Sequence, residues 1–335
     1  MNSNPLPQEL FSRKTIQSAL SLEDVISTVR RAFELYSQDE VQMPSKNYVY
    51  FEGYNGDLRT MTAYIPSFDT ATVKIVNSHP DNPKKHSLPS VMAFLATVDP
   101  ETGYPQSLLD ATEITAQRTA AASAVATQRL TPTDAETLGI IGAGAQAPYQ
   151  VQGQCSVRNI EHVLIYDRDH KRSKQLCQQL KERFECCSFE VSPSLEELIE
   201  SSQIINSLTP TREPLVSSMS TLNRSPALHI NAMGADGSGK QEWPVEFLTD
   251  VNIVIDQWEQ ASHSGEIHSA VGQGVITRSD VVELGDTLTG NTETNLRENP
   301  SLFDSTGLGI QDTAGAHAFL KDNPEPDQTF TFFNA

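Results

Sequence analysis

The sequence predicts a doubly wound parallel α/β sheet preceded by a second α/β domain. Three observations carry this reading. From residue 137 onward, apolar runs of strand length alternate with segments of helical spacing, the pattern of a parallel sheet with helices on its faces. The first of these runs, Leu138 to Ile141, opens into Gly142-Ala-Gly144-Ala-Gln-Ala147. The second, Val163-Leu-Ile-Tyr166, ends on Asp167.

A glycine-rich turn between strand and helix is either a tight connection or a phosphate cradle. Gly142 permits the sharp exit from the strand, Gly144 lets backbone approach a pyrophosphate, and Ala147 lets the helix pack closely. The helix start offers free N–H groups and the positive end of a dipole. Asp167 stands where a carboxylate would bond an adenosine ribose. Together they favour the Rossmann arrangement with a bound dinucleotide over an empty turn. The candidate contacts are Gly142, Gly144, Ala145, Gln146, Asp167 and Arg168. Asp167 favours NAD, because it would repel a 2′-phosphate; Arg168 beside it softens that choice and leaves NADP open.

Lys plus Arg number 24 and Asp plus Glu 43, a formal net charge of −19. So acidic a balance argues against nucleic acid or an anionic membrane as the main partner. A salt-rich cytoplasm is another reading of it. The 335 residues suggest two domains. No run approaches the roughly 20 apolar residues of a membrane span. Met1-Asn-Ser-Asn-Pro-Leu-Pro lacks the basic and apolar regions of a secretory leader, so a cytoplasmic protein is expected. Cys155, Cys177, Cys186 and Cys187 have no zinc-like spacing and read as reduced thiols. No metal site is expected. His79, His263 and His268 read as satisfied loop residues, and Glu259 and Glu266 as solvated or interface carboxylates.

Ahead of the nucleotide segment, residues 16 to 37 have helical spacing, with Ser18 or Ser21 as cap. Two extended segments, 42–51 and 58–65, are joined by Asn55-Gly56, which is hairpin chemistry. Residues 71–80 form a strand with Lys74 inside it. A lysine in an apolar strand is either a snorkelling edge residue or a cation aimed at a substrate carboxylate, and the pattern alone leaves both open. Residues 90–98 and 105–110 are two more strands around the turn Asp99-Pro-Glu-Thr-Gly103. An alanine-rich helix is expected over 115–130, placing Arg118 and Thr119 near its start, where an anion is welcome.

Residues 131–136 mark the boundary, so residues 131–307 are the expected nucleotide-binding domain and residues 1–130 with 308–335 the other. Further strands are expected at 188–191, 204–207, 227–234 and 252–256. Asp167, Ser207, Thr209 and Asp236 fall at strand ends, where ligands bind in such sheets. Phe303-Asp-Ser305-Thr306-Gly307 opens another small-residue helix, which returns to the first domain; Gly307 is either a packing glycine or, beside the hydroxyls, a cofactor contact.

These segments together resemble the ornithine cyclodeaminase/mu-crystallin family over nearly the whole chain. The matching pieces are Gln42-Met-Pro-x-Lys46, Gly56-Asp-Leu-Arg59, Lys74-Ile-Val-Asn-Ser-His-Pro80, Leu88-Pro-x-Val-Met92, Asp110-Ala-Thr and Thr115-x-x-Arg118-Thr119. Later come Gly142-Ala-Gly-Ala-Gln-Ala147, Asn231-Ala-Met-Gly-Ala-Asp236-Gly-x-Gly-Lys240-Gln-Glu242 and Phe303-Asp-Ser-Thr-Gly307. The resemblance implies a Rossmann domain, a second α/β domain for substrate binding and dimerisation built from both chain ends, and a homodimer. It implies an NAD-dependent amino-acid oxidoreductase, alanine dehydrogenase first, with ornithine cyclodeaminase, a cyclic ketimine reductase and a crystallin-like nucleotide-binding protein as alternatives. Carried over by motif, Asp236 and Lys74 are the candidate catalytic residues, and Lys46, Arg118 and Met61 the candidate substrate contacts; Lys74 and Arg118 would hold the substrate carboxylate. Ser207, Thr209, Thr119 and Ser305 join the cofactor contacts. Thr62, where relatives often have Pro, would alter a pocket-side loop and leaves the substrate side chain open.

Overall fold

The computed structural model describes residues 7–184, 187–220, 222–225, 227–235, 237, 239–290, 296–297 and 299–332. Asp236 and Cys186 lie outside the described residues.

The chain opens with strand β1 (Gln8–Phe11) and helices α1 (Arg13–Ala19) and α2 (Leu22–Ser37). One helix over 16–37 was the expectation. It breaks because Leu20 takes an extended conformation and Ser21 caps a new helix, its hydroxyl accepting the Asp24 N–H. Then follow β2 (Asn47–Phe51), β3 (Gly56–Ile65), β4 (Thr70–Ser78), β5 (Val91–Val98) and β6 (Pro105–Asp110). Asn55 sits left-handed at φ 49° between β2 and β3, as the Asn-Gly turn requires. Thr62 lies within β3, paired with Val73, and not in a loop.

Helix α3 (Ala111–Leu130) begins four residues before the expected start. Asp110 accepts the Thr112 N–H at 2.9 Å and satisfies one of the first-turn donors. Arg118 and Thr119 are therefore two turns into the helix. Their side chains, not free backbone N–H groups, are what they offer a ligand.

Next come β7 (Thr137–Ile141), α4 (Ala147–Val157), β8 (His162–Tyr166), α5 (His170–Arg183), β9 (Ser188–Val191), α6 (Leu195–Ser201), β10 (Ile204–Ser207), β11 (His229–Ala232), β12 (Asn252–Ile255), β13 (Val281–Glu283) and β14 (Ser301–Asp304). Helix α7 (Gly309–Leu320) and β15 (Gln328–Phe330) close the chain. Residues 301–304 are thus a strand, with the helix starting only at Gly309.

The chain divides into two compact units. One comprises residues 1–118 and 308–335, the other residues 119–307. The first has a seven-stranded sheet in the order β15-β1-β6-β5-β4-β3-β2, antiparallel except where β1 runs parallel to β6. Helix α7 packs on β3 and β4 and against α2, whose Val25, Val29, Ala32 and Phe33 are fully buried.

The second unit has eight parallel strands in the order β13-β12-β14-β11-β10-β7-β8-β9. From β7 the chain builds outward through β8 and β9, then returns to place β10 on the other side. The switch point therefore lies between β7 and β10, the place at the strand ends where sheets of this kind bind ligands. Strands β7, β10 and β11 are almost wholly buried, which is why they read as continuous apolar runs rather than alternating ones.

Candidate functional site

At the carboxyl end of β7 the backbone turns sharply, with Gly142 at φ 102°, a conformation only glycine holds comfortably. A side chain on Gly142 would also press on Thr209 Cγ2 at 3.3 Å. Gly144 differs. A Cβ there would meet no atom within 4 Å, and Gly144 and Ala145 are exposed. The loop thus presents open backbone just ahead of α4, whose Gln146 cap makes no side-chain bond to the helix N–H groups. The open backbone and the helix N–H groups left without a side-chain cap fit a pyrophosphate at the helix start.

Asp167 ends β8. Its Oδ2 accepts the Ala143 N–H at 2.9 Å and its Oδ1 the Asp169 N–H at 2.8 Å. The carboxylate is thereby fixed beside the glycine loop while staying half-exposed, with lone pairs left for two ribose hydroxyls. Arg168 is exposed next to it.

Across the switch point, Ser207 and Thr209 converge on Glu242. Ser207 Oγ donates to Oε2 at 2.8 Å, while the Thr209 N–H and hydroxyl donate to Oε1 at 2.8 and 2.7 Å. The Gly234 N–H donates to Oε2 at 3.0 Å. Each hydroxyl has one proton, and Glu242 takes it, so toward any ligand Ser207 and Thr209 can only accept. Glu242 is completely buried, and burial pushes its carboxyl above the ordinary range, against the pull of these donors.

Behind it stands Glu266, whose oxygens take the Glu242 and Trp243 N–H groups at 3.0 and 2.6 Å. The expectation of a solvated or interface carboxylate is overturned for this residue. Glu266 is fully buried where it accepts these two backbone N–H groups, and burial with Glu242 nearby raises its pKa well above the usual. His263 and His268 are satisfied locally, each against a carbonyl, of Glu259 at 2.8 Å and Gly265 at 2.9 Å.

Two more buried carboxylates brace the next strand ends. Asp256 accepts the Thr306 and Gly307 N–H groups at 2.7 and 2.8 Å, holding Gly307 at φ 78°. Ser305 is buried at the same bend, its N–H on the Ala232 carbonyl at 3.2 Å. Asp304 Oδ2 accepts the Ile267 N–H at 3.1 Å, and burial pushes its pKa up to about 8. Thr119 is half-buried on α3.

In the other unit, Lys74 projects from the middle of β4 and is 1% exposed, so it is no edge or snorkelling lysine. Its Nζ lies 2.7 Å from Asp312 Oδ1, and Arg118 Nε lies 2.9 Å from the same oxygen. Arg118 also donates to Gln311 Oε1 at 2.8 Å. Met61 is buried on β3 directly opposite Lys74. Burial drives the Lys74 pKa down to about 7; Asp312 resists that, while Arg118 and Lys46 add to it. Lys46 is half-buried ahead of β2.

The structure thus brings Lys74, Arg118 and Met61 together, and gathers the glycine loop, Asp167, Ser207 and Thr209 at strand ends. Sequence reasoning gave no role to Asp312 or Glu242. The available signal for Asp312 was a lone carboxylate in the otherwise uncharged, small-residue helix Gly309–Leu320. For Glu242 it was its place at the end of the Gly-rich segment after Asp236.

A parallel sheet wound both ways from a glycine-rich crossover defines the dinucleotide-binding class of α/β proteins. The profile of the ornithine cyclodeaminase/mu-crystallin family matches residues 8–325. The alanine dehydrogenase of Archaeoglobus fulgidus is 39% identical over 311 residues, 92% of either chain. A solved archaeal alanine dehydrogenase dimer with bound NAD superposes with a TM-score of 0.89 at 38% identity, covering 98% of this chain and 100% of that one. A Δ1-pyrroline-2-carboxylate reductase of Thermococcus litoralis, in complex with NADH and L-proline, gives 0.88 at 34% identity, covering 94% and 97%. The chain belongs to the ornithine cyclodeaminase/mu-crystallin family and is an enzyme.

Proposed function

We propose that the protein is an NAD-dependent alanine dehydrogenase, converting L-alanine, NAD and water to pyruvate, ammonia and NADH. The observation that carries this is the buried pair of cations, Lys74 and Arg118, in a family whose alanine dehydrogenase shares 39% of its residues with this chain. Two cations share one carboxylate, Asp312, so the cluster has positive charge to offer a substrate carboxylate.

The nicotinamide supplies the acceptor for the hydrogen on the alanine Cα. Lys74 and Arg118 bind and orient the carboxylate, which limits how the Cα hydrogen can point. Asp236, carried over from the family motif, takes a proton from the amine and releases it to solvent. Once ionised again it takes a proton from the water that attacks the imine carbon, and the C–N bond of the adduct then breaks to release ammonia and pyruvate. Asp167 holds the adenosine ribose, and the backbone around Gly144 the pyrophosphate. With Asp167 in place, NAD is preferred to NADP.

The enzyme acts as a homodimer in the cytoplasm. The apolar side chains Val49 on β2 and Phe94 on β5, exposed on the same face, support an interface on the sheet of the first unit. Among the described residues no helix is long and apolar enough to cross a membrane.

Incubation with NAD and either L-alanine or L-ornithine, followed at the NADH absorbance with product analysis, tests the assignment. NADH formed with alanine supports it. Proline and ammonia from ornithine without net NADH would reassign the protein as a cyclodeaminase, and reduction of a cyclic imine alone would make it a ketimine reductase.

A further inference from the structure

The carboxylate between the two cations is the least explained group in the first unit. Asp312 is fully buried, and both cations sit on the same oxygen, Oδ1. Its other oxygen, Oδ2, has no hydrogen-bond partner among the described residues. A buried carboxylate that only needed satisfying would spread its donors over both oxygens. Stacking two cations on one oxygen instead brings them toward a common point.

Helix α7 is built to hold that oxygen still. Gly309 and Gly315 lie three residues before and after Asp312, one turn down and one turn up on nearly the same face. A Cβ on Gly309 would come within 2.8 Å of the Thr62 carbonyl oxygen on β3, and one on Gly315 within 2.8 Å of Ile114 Cγ2 on α3. The helix is therefore seated against the strand beside Lys74 and against the helix that carries Arg118. Thr313 adds a third tie, its hydroxyl 2.7 Å from that of Thr72 on β4. Small residues let backbones approach closely, and close-packed contacts leave little room to slide.

We propose that Asp312 is the positioning residue of the carboxylate anchor: through one oxygen it aligns Lys74 and Arg118 and keeps the Lys74 ammonium protonated, so that the substrate carboxylate meets two charged donors already in place. This rests on the reading of Lys74 and Arg118 as that anchor. The electrostatics agree. Burial, Arg118 and Lys46 all push the Lys74 proton off, and Asp312 is the group that opposes them. With an amide in place of the carboxylate, Lys74 would be neutral at pH 7 and Arg118 would stand alone.

The test is calorimetric titration of the NADH-bound enzyme with pyruvate, without ammonia so that no turnover occurs, at about pH 6 and about pH 8. Asp312→Asn is expected to bind pyruvate roughly 10- to 100-fold more weakly than the wild type at the lower pH, where only the wild type keeps the Lys74 proton. As pH rises past about 7 and the wild-type Lys74 loses that proton too, much of the difference should disappear. A merely structural role would give the same loss at both pH values, and that result, or wild-type affinity throughout, overturns the proposal. Binding of NADH, read by its fluorescence, reports that the variant is folded. Should Asp312→Asn fail to fold, Asp312→Glu decides: it keeps the charge but moves the oxygen by about 1.5 Å. Weaker binding with the wild-type pH profile supports the proposal, and wild-type affinity overturns it. Lys74→Met and Arg118→Met examine the reading beneath. If both bind pyruvate as the wild type does, the anchor itself is misassigned. If both lose pyruvate while Asp312→Asn does not, only the role of Asp312 falls.

Discussion

The Gly234 N–H donates to Glu242 Oε2 at 3.0 Å, and this bond joins the exit of β11 to the exit of β10, because the same carboxylate holds Ser207 and Thr209. There is no room at Gly234 for a side chain. A Cβ would overlap the Thr209 carbonyl oxygen and come within 2.7 Å of the Glu242 carboxyl. Gly234→Ala should therefore destabilise the protein by about 2–3 kcal/mol, the usual cost of overpacking a close contact. Glu242→Gln should cost on the order of 1–3 kcal/mol, since the amide NH₂ faces donors and leaves them unpaired. Urea unfolding midpoints of both variants check this, and unchanged midpoints would remove Glu242 as the brace.

Gly144→Val separates folding from ligand binding. Its side chain would enter space that no protein atom occupies, so the unfolding midpoint should stay near that of the wild type. NADH affinity should fall at least about tenfold, equivalent to about 1.4 kcal/mol, because the backbone could no longer approach the pyrophosphate. Fluorescence titration with NADH reads this directly. Undiminished affinity would place the nucleotide elsewhere.

Asp167 bonds both the glycine loop and its own turn, at the Ala143 and Asp169 N–H groups. Asp167→Ser should weaken NADH roughly tenfold through the lost ribose bonds and narrow the preference over NADPH, as Arg168 is left beside the 2′-position. Parallel titrations with the two nucleotides measure the ratio. An unaltered ratio would mean that another residue reads the ribose.

Stability should depend on pH through Asp304. Its pKa is pushed up to about 8 by burial, from the ordinary 3.8. Between those values the native form keeps a proton that the unfolded chain releases. The stabilisation this group gives is thus full below about pH 4 and is lost as pH rises through about 8. Asp304→Asn mimics the protonated acid. The variant should lose less stability than the wild type between about pH 5 and about pH 9 in urea unfolding. Identical slopes would mean that Asp304 is ionised in the folded protein.

Phe94→Glu tests the proposed dimer. Phe94 is 42% exposed on β5, on the same face of the sheet as Val49, and a charge placed in an apolar interface is costly. Sedimentation should show wild-type dimers and mostly monomers of the variant. A variant that stays dimeric puts the interface on another face.

Much of the second unit was legible along the chain. The glycine turn, Asp167 and the alternation of apolar runs with helices are local features, and the local chemistry of a βα turn is the same wherever it occurs. Strand β14 was less so, because its four residues pair between β11 and β12, far from their chain neighbours. The helix starts at Ala111 and Leu22 were displaced for the opposite reason, since single side chains, Asp110 and Ser21, decided them. Glu266 was misread as a surface carboxylate because nothing in its neighbourhood along the chain announces the two N–H groups, of Glu242 and Trp243, that it satisfies.

The sequence by itself determined the class: a dinucleotide cradle at the end of β7, an acidic partner at the end of β8, and a family motif set that runs through Lys74 and Arg118. Only the tertiary structure decided what surrounds those charges. It carried Asp312 across 238 residues to Lys74 and 194 to Arg118, and Glu242 across 35 to Ser207. The physical reason is that a charge in water and a charge in a core are different reagents. The chain spells out which ionisable groups are present, but burial and the partners that packing brings to them set which ones keep their protons.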